Sequence, residues 1–134
     1  PVMYLSQDSQ ALLTAAPRHP YAAQVLDLCC GCGVQGLVAL RCYAERVTFL
    51  DVNPRALRFA RFNVHLNGFQ GRVAFVEGSI CEPAPSRELA RAGLFNAILA
   101  NPPFVPNPDN VSTACGPLYS RGGPDGQAVL VAVI

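Results

Sequence analysis

The stretch Val25-Leu26-Asp27-Leu28-Cys29-Cys30-Gly31-Cys32-Gly33 constrains the fold more than any other part of the chain. Residues 25–29 are apolar apart from one acid and run into glycines, the pattern of a strand covered on both faces. Residues 34–44 follow with Val34, Leu37 and Val38 at helical spacing. A second buried strand at 47–50 ends at Asp51, 18 residues after Gly33. Buried strands joined by a helix run parallel, because a tight turn cannot connect them.

The same alternation continues along the chain. Asn53 is placed to cap a helix with Pro54 in its first turn, and Leu57, Ala60, Arg61 and Val64 carry that helix to a stop at Gly68. Residues 72–76 read as a third strand, 86–92 as a short helix and 95–100 as a fourth strand. Upstream, 9–16 reads as a short helix stopped before Pro17, followed by the polar connector Arg18-His19-Pro20. Residues 102–124, with six prolines and three glycines, form a long loop of the kind that is functional or disordered, and Gln127 begins another helix or strand. Strands alternating with helices imply an α/β fold, a doubly wound parallel sheet covered on both faces.

Composition excludes several classes. A chain of 134 residues, 51% apolar, makes one compact domain. Net charge is +1, and the ten basic residues, all Arg, form no run that would mark a nucleic-acid footprint. Arg55, Arg58 and Arg61 share a helix face, read as a solvated surface. The six cysteines (Cys29, Cys30, Cys32, Cys42, Cys81 and Cys115) lack paired C-x-x-C spacing, so they read as free thiols in a reducing cytoplasm rather than a metal or redox centre. No apolar run approaches the roughly 20 residues of a membrane span. Residue 1 is Pro and residues 128–134 are an uncapped apolar run, which implies a C-terminally truncated piece of a longer protein, with 1–134 forming a single core.

In a sheet of this kind ligands bind beyond the carboxyl ends of the strands. The glycine turn and Asp51 both fall on that rim. Glycines let backbone N–H groups approach a ligand closely, and a carboxylate at a strand tip accepts hydrogen bonds from two ribose hydroxyls. Nucleoside binding follows. Gly31-x-Gly33-x-x-Gly36 also fits a dinucleotide fingerprint, which keeps a nicotinamide-dependent oxidoreductase open. Asp27 inside the first strand and Asn101-Pro102-Pro103-Phe104 after the fourth serve no purpose in such an enzyme.

These residues resemble class I methyltransferases, a Rossmann-like family. Asp27-Leu-Cys29-Cys30-Gly31-Cys32-Gly33 resembles their first motif, which wraps the methionine part of S-adenosyl-L-methionine. Asp51-Val52-Asn53 resembles the second, and Gly78-Ser79-Ile80 stands where the family places an acid and an apolar residue beside adenine. Asn101-Pro102-Pro103-Phe104 resembles the amino-methylating N-P-P-Y/F motif. Within the small-domain methyltransferases the chain is most similar to the HemK-type protein-glutamine N5-methyltransferases. That likeness rests on Tyr4-Leu-Ser-Gln-Asp8-Ser9, on Val105-Pro106 and on Gly122-Gly-Pro-Asp-Gly126. Two departures stand out: Cys29 replaces the motif's first glycine, and Ser79 replaces the usual acid. Loss of the later strands would leave a sheet edge that a second copy of the chain could cover.

Methyl transfer from a sulfonium to nitrogen is an in-line displacement, so the nitrogen must be held with its lone pair aligned. An amide or aromatic amine delocalises that pair. Two acceptors gripping its N–H groups, the Asn101 side-chain oxygen and the Pro102 carbonyl, localise it. Pro102 and Pro103 fix φ and donate nothing, and Phe104 can pack against a planar group or lie in the core. His19 and His65 read as connector and helix-surface residues, and Asp125 as a turn residue. Asp8 and Ser9 read either as a helix cap or as contacts to ligand. The resemblance implies methylation of a glutamine amide in a protein such as a translation release factor. The alternatives are an exocyclic amine of adenine or guanine in RNA or DNA, or a fragment that binds cofactor without turnover. The missing basic patch favours protein over nucleic acid.

Overall fold

A computed structural model of the chain describes residue 2 and residues 5–16, 24–106 and 120–133. The connector 18–20, Tyr4, Cys115 and most of the proline-rich loop lie outside the described residues. Four strands form one sheet: β1 (Gln24–Leu28), β2 (Arg46–Asp51), β3 (Val73–Glu77) and β4 (Ala97–Ala100). The strand order is β3-β2-β1-β4 and every pairing is parallel. Val25 pairs with Val47 on one side and Ala97 on the other, so β1 lies at the centre of the reversal of strand order.

Alternation along the strands sends successive side chains to opposite faces. Val25, Val47, Phe49 and Leu99 face one layer, packed on Ala39 and Leu40 of α2 (Val34–Cys42) and on Leu57, Ala60 and Val64 of α3 (Pro54–Leu66). Ala16, which ends α1 (Gln7–Ala15), packs against the same layer. Leu26, Leu28, Leu50 and Val76 face the other, met by Leu89 of α4 (Pro83–Ala92). A last helix, α5 (Ala128–Val133), follows the glycine-rich turn. Phe49 is the largest fully buried side chain and stacks on Phe75 with ring centroids 5.1 Å apart. Burying each such side chain contributes about 1.5–3 kcal/mol.

Local chemistry sets the helix ends. Asn53 Oδ1 accepts from the Arg55 N–H at 3.0 Å, with Pro54 in the first turn, as the sequence predicts. Ser6, not Ser9, caps α1, so the helix starts at Gln7 rather than at residue 9. Helix α4 begins at Pro83, three residues earlier than 86, because prolines that argue against a helix interior are tolerated in a first turn. The element expected from Gln127 is a helix that begins at Ala128, and His65 sits exposed on α3, its Nδ1 2.8 Å from Gln70 Nε2.

Candidate active site

The switch between β1 and β4 opens a cleft at the carboxyl ends of the strands, with about 890 Å³ of empty space counting its open mouth. Four segments meet there: Cys29–Cys32 after β1, Asp51–Asn53 after β2, Gly78–Ile80 after β3, and Asn101 with Pro103 after β4. The sequence motifs from the four strand ends therefore share one wall.

Asp51 ties two of these segments together. Its Oδ2 accepts the Gly31 N–H at 2.8 Å and its Oδ1 the Asn53 N–H at 2.8 Å. Its own backbone carbonyl accepts the Gly78 N–H at 3.0 Å, bringing in the third. Burial pushes the Asp51 carboxyl up, and the N–H groups of Asn53 and Gly31 oppose that shift by stabilising the anion. A carboxylate has about four acceptor positions, so beyond the N–H groups of Asn53, Gly31 and Val52 Asp51 keeps acceptor capacity for a ligand hydroxyl.

The glycine turn is built by left-handed backbone. Cys29 has φ 56°, Gly31 φ 55° and Gly33 φ 81°. Cys29 thus holds a conformation that costs a non-glycine residue energy, at the position where the motif it resembles has glycine. Over Gly31 a Cβ would meet nothing within 4 Å, because that side is the open cleft. Gly33 differs: a Cβ there would stand 3.0 Å from Ala60 Cβ, so this glycine seats the turn on α3 instead of facing the cleft. Asn63 of α3 donates from Nδ2 to the Cys32 carbonyl at 3.0 Å and anchors the turn from the same side.

Asp27 also lies beneath the cleft wall and does not line it. It is 1% exposed, and its Oδ2 accepts the Gly36 N–H at 2.8 Å. Burial holds its carboxyl well above the usual range; the Gly36 N–H opposes this and the Asp51 charge adds to it. Its role in the described structure is to bind β1 to the first turn of α2. The three clustered cysteines are thiols: burial pushes Cys29 up to about 12, and Cys30 and Cys32 upward as well. Among the described residues no group of three or more His, Cys, Asp or Glu side chains is placed to hold a metal ion.

At the β4 end, Asn101 and Pro103 line the cleft, while Pro102 and Phe104 do not. Phe104 is 57% exposed, so it is a rim residue and not core. Val52, Ser79 and Ile80 all line the cleft; Ser79 Oγ accepts the Cys81 N–H at 3.1 Å. Ser9 is buried and lines the cleft, whereas Asp8 is exposed and does not. Asp125 Oδ1 accepts the Gln127 N–H at 2.9 Å, the turn role expected of it. Sequence reasoning missed Gln35, Leu28, Leu50 and Ala56 as lining residues. Gln35 carried a legible signal, being the second residue of the helix that follows the glycine turn. The others are apolar and look like core.

A parallel α/β sheet with its cleft at the strand-order reversal and a glycine turn opposite an acidic strand tip defines a nucleoside-cofactor fold. The profile of the family described as "Methyltransferase small domain" matches residues 4–117, and the chain belongs to that family. It is 40% identical over 101 residues to the ribosomal RNA small subunit methyltransferase C of Pseudomonas aeruginosa (strain UCBPP-PA14), covering 75% of this chain and 27% of that protein. It is 40% identical over 91 residues to the release factor glutamine methyltransferase of Deinococcus radiodurans, covering 66% of this chain and 29% of that one. The chain therefore spans little more than a quarter of the length of these relatives. Among solved structures, a precorrin 8W decarboxylase from Methanobacterium thermoautotrophicum shares the fold with TM-score 0.57 and 20% identity, over 72% of this chain and 50% of that one. The methyl donor of the family is S-adenosylmethionine. Among the described residues no helix is long and apolar enough to cross a membrane.

Proposed function

We propose that the chain is the catalytic core of an S-adenosylmethionine-dependent N-methyltransferase acting on a planar nitrogen. The observation that carries this reading is the meeting of Gly31, Asp51 and Asn101 on one cleft. The residues present suit the donor. Asp51 has acceptor positions for ribose hydroxyls, Val52 and Ile80 offer apolar surface for adenine, and the open side of Gly31 admits the amino-acid end. When bound, the cofactor supplies an electrophilic methyl group on a sulfonium.

The chain's own groups do the rest. The Asn101 side chain has no hydrogen-bond partner among the described residues and lines the cleft, so its oxygen is available to accept an N–H of the acceptor. The carbonyl of Pro102 is the second acceptor in this reading. With both N–H groups held, the nitrogen lone pair turns out of conjugation toward the methyl group. The exposed Phe104 ring offers a flat surface at the rim for the acceptor plane. The C–N bond forms as the S–CH3 bond breaks, S-adenosylhomocysteine leaves, and the methylated nitrogen sheds one N–H proton to solvent at the open mouth of the cleft; the Asp27 and Asp51 side chains are occupied with backbone N–H groups and take no part in this reading.

A glutamine side-chain amide is the first acceptor of this reading, supported by the release-factor relative and by the residues at 105–106 and 122–126 that resemble that group. An exocyclic amine of RNA has its own support. The solvent side of α3 exposes Phe59, Phe62 (60% exposed) and Leu66 beside Arg55 and Arg58, a stacking and phosphate-binding chemistry. The ribosomal RNA relative points the same way. Transfer of a labelled methyl group to a release factor and, separately, to unmethylated ribosomal RNA distinguishes them. Asn101→Ala should lower transfer at least a hundredfold while S-adenosylhomocysteine binds within threefold of wild type. Full activity in Asn101→Ala would refute the acceptor assignment.

A further inference from the structure

Pro102 and Pro103 have no N–H, so the turn they form cannot be tied down by donors of its own at those positions. Its placement depends on β4 before it and on whatever holds residues 104–106 after it. That hold comes from the glycine-rich stretch. The Val105 N–H donates to the Ser120 carbonyl at 3.1 Å, and the Gly122 N–H donates back to the Val105 carbonyl at 2.9 Å. Val105 and Arg121 form an isolated parallel bridge. Gly122 and Gly126 are both buried against the main chain of Phe104. A Cβ on Gly126 would stand 2.4 Å from the Phe104 carbonyl oxygen, and one on Gly122 would stand 2.8 Å from the Phe104 carbonyl carbon. Gly126 also has φ 83°, in the left-handed region. A backbone carbonyl cannot swing aside as a flexible side chain can, so any side chain at either position moves the turn.

We propose that Gly122 and Gly126 are positioning residues that seat the Asn101–Phe104 turn against the cleft. The proposal rests on the reading of that turn as the acceptor site. The seat presses on the Asn101–Phe104 turn, whereas segments 29–32, 51–53 and 78–80 of the cleft come from the ends of other strands; the helix that follows the seat reaches the cleft through Val129. Losing the seat should therefore impair turnover and leave cofactor affinity in place, a split that general destabilisation would not produce.

Two other glycines do not press on the turn. A Cβ on Gly123 would strike Ala128 Cβ of α5 at 2.6 Å and not the turn, and one on Gly71 would meet nothing within 4 Å. The test measures methyl transfer to release factor and to ribosomal RNA, S-adenosylhomocysteine affinity by calorimetry, and thermal midpoint, for Gly126→Ala, Val105→Pro, Gly71→Ala and Asn101→Ala. Gly126→Ala should lose at least tenfold in kcat with cofactor affinity within threefold. Val105→Pro, which removes the N–H given to Ser120 without touching a glycine, should fall in the same direction and decides the matter if Gly126→Ala does not fold. Gly71→Ala should match wild type. Two results would overturn the seat while leaving the function intact. One is turnover within twofold of wild type in Gly126→Ala and Val105→Pro while Asn101→Ala is dead. The other is a parallel loss of cofactor affinity. An active Asn101→Ala would instead sink the reading of the turn itself.

Discussion

Gly36 sets how closely α2 approaches the sheet, and a single methyl group there should be felt throughout the site. A Cβ at this position would lie 2.4 Å from Phe49 Cε1, 2.8 Å from Phe49 Cζ and 2.8 Å from Val47 Cγ1. Neither neighbour can retreat: Phe49 is fully buried and stacked on Phe75, and Val47 is buried under the same helix. Overpacking of this kind costs about 1–3 kcal/mol. Replacing glycine by alanine in a helix returns at most about 1 kcal/mol, and less in a first turn. The overlap wins, leaving Gly36→Ala destabilised by about 1–2 kcal/mol. For a chain of this length that lowers the thermal midpoint by roughly 3–10 °C. Circular dichroism melts measure it, and Gly36→Ala combined with Phe49→Leu should lose less than the sum of the two single changes. A Gly36→Ala midpoint equal to or above wild type would refute the close-approach reasoning.

Asp27 and the cysteines give two further expectations. The folded state holds the Asp27 proton more tightly than the unfolded chain, so the stability linked to this group is full below the ordinary carboxylate pKa. It is lost as pH rises through the raised folded value. Asp27→Asn, which keeps an oxygen for the Gly36 N–H, should gain on wild type in urea melts as pH rises from about 4 to 7; a constant difference over that range would count against the buried carboxylate. In alkylation followed by mass spectrometry at pH 7.5, exposed Cys42 and Cys81 should react first. Cys30, buried and pushed up in pKa, should react only on unfolding; early labelling of Cys30 would show the turn to be open.

Much of this architecture was legible because local signals agreed with the global pattern. The strand at 25–29 appears at Gln24–Leu28, and Asn53 with Pro54 starts α3 as its residue types require. The glycines after β1 and Asp51 after β2 were readable because strand ends and turn residues leave local marks. What stayed hidden depends on distant partners. Asp27 belongs to the first motif by position, yet only the three-dimensional path of α2 shows that it binds Gly36 from below and does not face the cleft. Gly33 and Gly36 look like ligand-binding glycines in a linear pattern. Their need for glycine comes from Ala60, Phe49 and Val47, which are 11 or more residues away. The seat that glycines 122 and 126 form under Phe104 was invisible for the same reason.

Amide NMR during titration with S-adenosylhomocysteine tests most directly whether donor and acceptor share one rim of the sheet. The amides of Gly31, Asn53 and Ser79 should shift at the same ligand concentration as those of Asn101 and Phe104. Shifts in the first group with Asn101 and Phe104 unmoved at saturation would contradict it.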